Sequence, residues 1–195
     1  MSICVIPARG GSRRIPRKNL KVFCGAPIIL YSIKTAQDCG LFDRVIVSTD
    51  DLDIGEVASS HGAEVLIRSP ELCRDEVGTQ EVMSFVLTKI SAVRDHIACC
   101  LYPCAPLVAP MDLRIANQIC FLRPSRYVIS VAGNPLRDIG NFYIGAAGDF
   151  MDLSALYATW TGIYVMPPER AIDINTPEDW TRAEQMYKAL HEQAS

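Results

Sequence analysis

Short runs rich in β-branched residues alternate along this chain with helix-length amphipathic segments, and no other feature narrows the possible folds so far. "SICVI", "RVIVST", "AEVLI", "IACCLY" and "YVISVA" read as five strands. Between them lie "PIILYSIKTAQDCG", "DLDIGEVASSHG", "TQEVMSFVLTKISAV" and "PMDLRIANQICFL". Pro27 and Pro110 suit first helical turns, and Gly40 and Gly62 suit stops. Strand and helix in strict alternation predict a parallel sheet covered on both faces, with right-handed crossovers. After residue 132 the pattern loosens. "GNPLRDIGNFYIGAAGD" reads as turn-rich with an aromatic pair, "TGIYVM" as a further strand, and "AIDINTPEDWTRAEQMYKAL" as an extended stretch before a terminal helix. Thr176 can cap that helix, Pro177 opens it, and Glu178 and Asp179 complement its dipole. No internal repeat or low-complexity linker interrupts residues 1–195, so one domain is expected.

Ligands of such sheets bind beyond the carboxyl ends of the strands. Just behind the first strand comes "RGGSRRIPRK", which holds five of the 19 Lys and Arg residues of a chain whose net charge is −3. Gly10, Gly11 and Ser12 let backbone amides approach an anion closely, and Arg9, Arg13, Arg14, Arg17 and Lys18 add charged donors. This pattern suits a polyphosphate. Charge and glycine alone leave a solvated basic turn equally open. The segment is neither G-x-x-x-x-G-K-[ST] nor G-x-G-x-x-G, which disfavours a nicotinamide-dependent dehydrogenase.

Outside this segment the acidic balance argues against a nucleic-acid partner. No apolar stretch approaches the ~20 residues of a membrane span, and "MSICVIPARGG" reads as a first strand, not a signal peptide. The eight cysteines form no C-x-x-C, and the three histidines form no metal spacing with them. Buried thiols in a reducing cytoplasm are the expectation.

"IPARGGSRRIPRKNL" resembles the N-terminal signature of the cytidylyltransferases that activate nonulosonic acids: N-acetylneuraminate and its relatives pseudaminic and legionaminic acid. "GLFDRVIVSTDD", "GAEVLIRSPELCRD", "LYPCAPLVAPMDL", "GNFYIG" and "DINTPEDWTRAEQMY" match in the family's order and cover most of the chain. The "RRIPRKN" version is most similar to the pseudaminic acid branch. The resemblance implies a three-layer α/β nucleotidyltransferase fold, Rossmann-like, with a mostly parallel sheet. It implies coupling of CTP to a nine-carbon acidic sugar with release of pyrophosphate, with Mg²⁺ as cofactor.

Carried over by position, the resemblance gives Arg9, Arg13 and Lys18 to the triphosphate, though the family usually has Lys where Arg13 stands. Gly10, Gly11 and Ser12 belong to the same loop. Asn19, Arg68 and Thr79 fall around cytidine, and Tyr102, Phe142 and Tyr143 along the sugar pocket. For Arg68 a surface cation, and for Phe142 and Tyr143 core packing, stand as alternatives. Asp50 and Asp51 read as N-cap and first-turn carboxylates, and Asp75 equally as a loop carboxylate. The family usually carries a hydroxyl residue where Cys104 stands, so a small replacement is expected there and not thiol catalysis.

Two departures matter. The family's metal-binding D-x-D reads here as Asp173-Ile174-Asn175, which leaves one carboxylate and one neutral amide on the same side of an extended segment. Between "YVISVA" and "GNFYIG" only Gly133 to Ile139 remain, where the family carries a long insertion with a dimerisation arm and sugar-site residues. A monomer, or a dimer built on another surface, is therefore expected. The alternative to an active enzyme is a non-catalytic nucleotide- or sugar-binding relative.

Overall fold

A computed structural model describes residues 1–122, 127–152 and 161–192. Strand β1 (Ser2–Pro7) leads through a loop and a 3-10 turn at Lys18–Leu20 into a small ribbon, β2 (Val22–Phe23) and β3 (Ala26–Pro27). Then follow α1 (Ile28–Asp38), β4 (Arg44–Thr49), α2 (Leu52–Ser60) and β5 (Glu64–Ile67). A second 3-10 turn, Pro70–Cys73, precedes α3 (Thr79–Lys89) and β6 (Ile97–Leu101). The chain continues with α4 (Pro110–Leu122), β7 (Tyr127–Ala132), β8 (Arg137–Ala146), α5 (Ala147–Met151), β9 (Thr161–Val165) and α6 (Pro177–Glu192). Seven strands form one sheet in the order β5-β4-β1-β6-β8-β7-β9.

Strand β1 lies at the heart of the sheet, parallel to β4 on one side and β6 on the other. Its continuous apolar run follows from that position, because both of its faces are covered. Cys4 and Ile6 face one side, packing with Ile29 and Ile33 of α1, Ile54 of α2 and Leu113 of α4. Ile3 and Val5 face the other, against Val82, Met83 and Val86 of α3. Alternation of side chains along a strand thus sorts one apolar run into two cores. A third cluster joins Ile15 of the basic loop and Phe23 of the ribbon to Ile172, Ile174 and Trp180 ahead of and within α6.

The helix ends behave as the residue types dictate. Asp51 caps α2, accepting from the amides of Asp53 and Ile54 at 2.9 and 3.1 Å. Gly40 closes α1 with a φ of 64°, a conformation that costs a side-chain-bearing residue dearly. Thr176 and Asp179 cap α6 reciprocally: the Thr176 amide donates to Asp179 Oδ2 at 2.8 Å, and the Asp179 amide to Thr176 Oγ1 at 3.2 Å. All eight cysteines are free.

Three expectations are corrected. "PLRDIGNFYIGA" is not turn-rich: β8 is a ten-residue strand, antiparallel to both neighbours, wedged between β6 and β7. Its glycines and its burial on both faces hide any period-two pattern, and a register shift near Ile129–Val131 breaks the ladder further. Helix α3 stops at Lys89, short of "ISAV". Pro27 ends β3 and precedes the first turn of α1 instead of entering it.

Candidate active site

The ladder between β1 and β4 extends one residue past the strand, with the Ala8 amide on the Ser48 carbonyl at 2.9 Å. From there residues 9–17 arch across the carboxyl edge of the sheet. Gly10 comes so close to α2 that a Cβ placed on it would stand 2.6 Å from Asp51 Oδ2 and 2.9 Å from Asp51 Cβ. Its amide donates to Asp50 Oδ1 at 2.9 Å. Asp50 therefore anchors the loop instead of capping α2; the N-cap falls one residue later, on Asp51, which is not a first-turn residue. Around Gly11 the space is open. The loop's far end is pinned by Ile15, which is buried in the third cluster, because an apolar side chain here gains more from that cluster than from solvent.

A cleft of about 570 Å³ opens beneath this arch. Arg9, Ser12, Arg13, Lys18, Asn19, Arg68, Thr79, Tyr102 and Asn175 all line it, so residues far apart in sequence meet there. Arg14 lines it too, but Arg17 does not. The Arg17 guanidinium turns outward to Asp53 of α2 at 2.6 Å and leaves the cradle.

Asn19 acts as a staple. Its Nδ2 donates to the Arg9 carbonyl at 2.8 Å, and the Cys104 thiol donates to its Oδ1 at 3.2 Å. Burial pushes the Cys104 thiol up to about 12, so it remains a neutral donor where a hydroxyl would serve equally. Lys18 donates to the Ile174 carbonyl at 2.7 Å, which ties the basic loop to the segment carrying Asp173 and Asn175. An ammonium has three donors, and this bond uses one.

Arg68 is 5% exposed. Its Nε meets the Cys73 thiol at 2.9 Å, while its buried NH1 finds no partner among the described residues. A buried guanidinium N–H without an acceptor is costly, and its place in the cleft wall suits a ligand that supplies one. Thr79 Oγ1 and Tyr102 Oη share a hydrogen bond at 2.5 Å on the same wall. Burial raises the Tyr102 phenol above its ordinary range and keeps it neutral.

Two expected residues stay out of the cleft. Phe142 is fully buried on the α4 side of the sheet, with its ring 5.7 Å from that of Tyr164. Tyr143, its neighbour on β8, points to the opposite face and supports Tyr102 edge-on at 5.9 Å, with its hydroxyl on Asp138 Oδ2 at 2.8 Å. Strand alternation forbids both rings from lining one pocket. Asp173 is not among the lining residues, but its carboxylate accepts from the Asn175 amide nitrogen, so the two side chains do face each other. Although Asp173 reaches solvent, crowding by protein atoms raises its carboxyl above the ordinary value, against the pull of Asn175 and Lys18. Among the described residues no group of three or more His, Cys, Asp and Glu is arranged for a metal ion.

Asp75 is the residue that sequence reasoning underrates. It pairs with Arg9 NH1 at 2.6 Å and with Arg13 NH1 at 3.2 Å. These guanidiniums, Arg9 first, hold its carboxyl below the usual range. Its place in the matching block "RSPELCRD" was the available signal.

Comparison with known proteins identifies the family and the fold. A family described as "Cytidylyltransferase" matches residues 3–134. The pseudaminic acid cytidylyltransferase of Campylobacter jejuni is 30% identical over 230 positions, covering 99% of each chain. The match is longer than this chain's 195 residues, so the relative carries segments that this chain lacks. The CMP-N,N'-diacetyllegionaminic acid synthase of Legionella pneumophila is 27% identical and covers 97% of each. The fold matches that of a CMP:2-keto-3-deoxy-manno-octonic acid synthetase solved with CTP, with a TM-score of 0.78 and 16% identity over 97% of this chain and 99% of that one. With its basic loop, buried arginine and mixed seven-stranded sheet, the chain belongs to the cytidylyltransferase family.

Proposed function

We propose that this protein couples CTP to a nine-carbon acidic sugar of the pseudaminic or sialic acid type, giving the CMP-sugar and pyrophosphate. The observation that carries this reading is the make-up of one cleft. Arg9, Arg13 and Lys18 bring positive charge to its lining, and Arg68, whose buried NH1 lacks an acceptor among the described residues, joins the part-buried Thr79–Tyr102 hydroxyl pair there. The cations suit a triphosphate and the neutral donors and acceptors a pyrimidine.

In the reaction the anomeric hydroxyl oxygen attacks the α-phosphorus and pyrophosphate leaves in line. The protein's share is positioning and charge stabilisation. Arg9 and Arg13 meet the phosphoryl oxygens as planar donors, and Lys18 adds a point charge while keeping one bond to the Ile174 carbonyl. Asn19 acts through Arg9 by holding its carbonyl, which makes it a positioning residue. Mg²⁺, when bound, supplies charge neutralisation of the triphosphate. The donors present fit an ion held mostly by the nucleotide: Asp173 brings one hard anionic oxygen and Asn175 a neutral one.

A second reading, a binding protein without turnover, is favoured by the short turn between β7 and β8, where Gly133–Leu136 stands in place of an insertion. That turn also leaves no arm for exchange between subunits. The free thiols suit a reducing cytoplasm, and no helix among the described residues is long and apolar enough to cross a membrane. Pyrophosphate release from CTP, measured with Mg²⁺ and a panel of nonulosonic acids, decides between the two readings. Turnover with one sugar supports the enzyme; CTP binding without release supports the binder. Calorimetry should show CTP bound well ahead of ATP and GTP, and equal binding of all three would refute the cytidine assignment.

A further inference from the structure

The Asp75 carboxylate occupies the position between the two guanidiniums that the proposed reaction assigns to the triphosphate. Its two oxygens meet Arg9 at 2.6 Å and Arg13 at 3.2 Å, much as two non-bridging phosphate oxygens would. Asp75 stands on the loop between the 3-10 turn Pro70–Cys73 and α3. The same segment gives the Cys73 carbonyl to Arg9 at 3.3 Å and the Cys73 thiol to Arg68 at 2.9 Å. One stretch of six residues therefore touches both the phosphate arginines and the base arginine. Its charged groups are open to water: the side chains of Arg9, Arg13 and Asp75 are 38%, 85% and 41% exposed. Ion pairs this exposed contribute little to stability, so the arrangement has no obvious structural purpose.

We propose that Asp75 is an internal competitor for the phosphate site, one that tempers triphosphate affinity. It holds Arg9 and Arg13 at the spacing a phosphate needs, and the triphosphate replaces it on binding. A ligand displaces it only by bringing several anionic oxygens of its own, so a single weak anion leaves the pair closed, and the triphosphate binds less tightly than it would to free guanidiniums. After reaction the carboxylate reclaims both guanidiniums and helps expel pyrophosphate. The inference rests on the reading of Arg9 and Arg13 as triphosphate ligands. A cation-binding role for Asp75 is disfavoured by the two guanidiniums already on it, which repel a divalent ion.

Asp75→Asn keeps the size of the side chain and removes its charge. Binding of inorganic tripolyphosphate, CTP and cytidine is measured by calorimetry without sugar or Mg²⁺, for the parent, Asp75→Asn and the charge-retaining Asp75→Glu. The expected result is about three- to tenfold tighter tripolyphosphate and CTP in Asp75→Asn, the scale of two exposed ion pairs. Cytidine should bind unchanged, and Asp75→Glu should stay near the parent. Equal or weaker tripolyphosphate binding in Asp75→Asn overturns the inference, as does a parallel shift in cytidine. Should Asp75→Asn not fold, Asp75→Ser carries the same expectation. If tripolyphosphate follows this pattern while CTP does not bind even the parent, the competitor stands and the cytidylyltransferase reading falls.

Discussion

At the β1 end of the cleft nearly every functional group answers to a partner, whereas at the approach to α6 Asp173 and Asn175 answer mainly to each other. Gly10 is held by Asp50, the Arg9 carbonyl by Asn19, Asn19 in turn by Cys104, and Arg68 by Cys73. These partners come from the segments that follow β1, β4, β5 and β6, so the site is braced from several elements at once. Among the described residues the segment around Asp173 joins that network through the bond from Lys18 to the Ile174 carbonyl and through apolar packing of Ile172 and Ile174, and neither contact holds the Asp173 or Asn175 side chain. The difference teaches where preorganisation has been built in. On the proposed reading the nucleotide side is set before ligand arrives, as electrostatic catalysis demands, and the metal side would depend on what the ligand brings.

The sharpest way to break this contrast is at its weak end. Asp173→Ala removes the sole anionic oxygen of the pair and should abolish Mg²⁺-dependent pyrophosphate release, with CTP binding in the absence of metal retained. Asn175→Asp should lower the Mg²⁺ concentration for half activity, less than two full charges suggest because the carboxylates repel each other. A Mg²⁺ titration at fixed CTP reads both, and parental activity in Asp173→Ala would make it an ordinary strand-end carboxylate.

At the braced end, Arg9→Ala should cost roughly 3 kcal/mol of transition-state stabilisation, about two orders of magnitude in kcat/KM for CTP. Unchanged kinetics would remove Arg9 from the phosphate site. A smaller and more local effect separates the two loop glycines. Gly10→Ala forces a methyl onto Asp51 and should cost about 1–3 kcal/mol, seen as a lower urea midpoint together with weaker CTP binding. Gly11→Ala meets nothing within 4 Å and should leave the midpoint within experimental error. Equal effects from both would mean that the loop does not sit on α2.

Much of the architecture was legible because it follows from local periodicity. Of the seven strands described up to residue 132, five were readable with the four helices as apolar runs, caps and stops within a few residues of the element each marks; the short ribbon of β2 and β3 was not. Strand β8 was not, because it is defined by two antiparallel neighbours and carries glycines where a pattern would show. The charge of the basic loop suited a phosphate ligand and a solvated turn equally, and the loop's internal differences were silent. Gly10 and Gly11 are identical letters, and only the approach of Asp51 makes one indispensable.

The sequence by itself determined the alternation, the cluster of cations behind the first strand and the loss of one carboxylate in "DIN", because each is a property of adjacent residues. Tertiary structure alone decided which groups meet. It turned Arg17 outward to Asp53, buried Phe142 away from the cleft, and brought Asp75 across some sixty residues of chain to sit between Arg9 and Arg13. The physical reason is that an ion pair or a buried guanidinium is settled by distance and solvent access. Those quantities are fixed when β1, β4 and β6 pair in register and carry their following loops to one edge of the sheet.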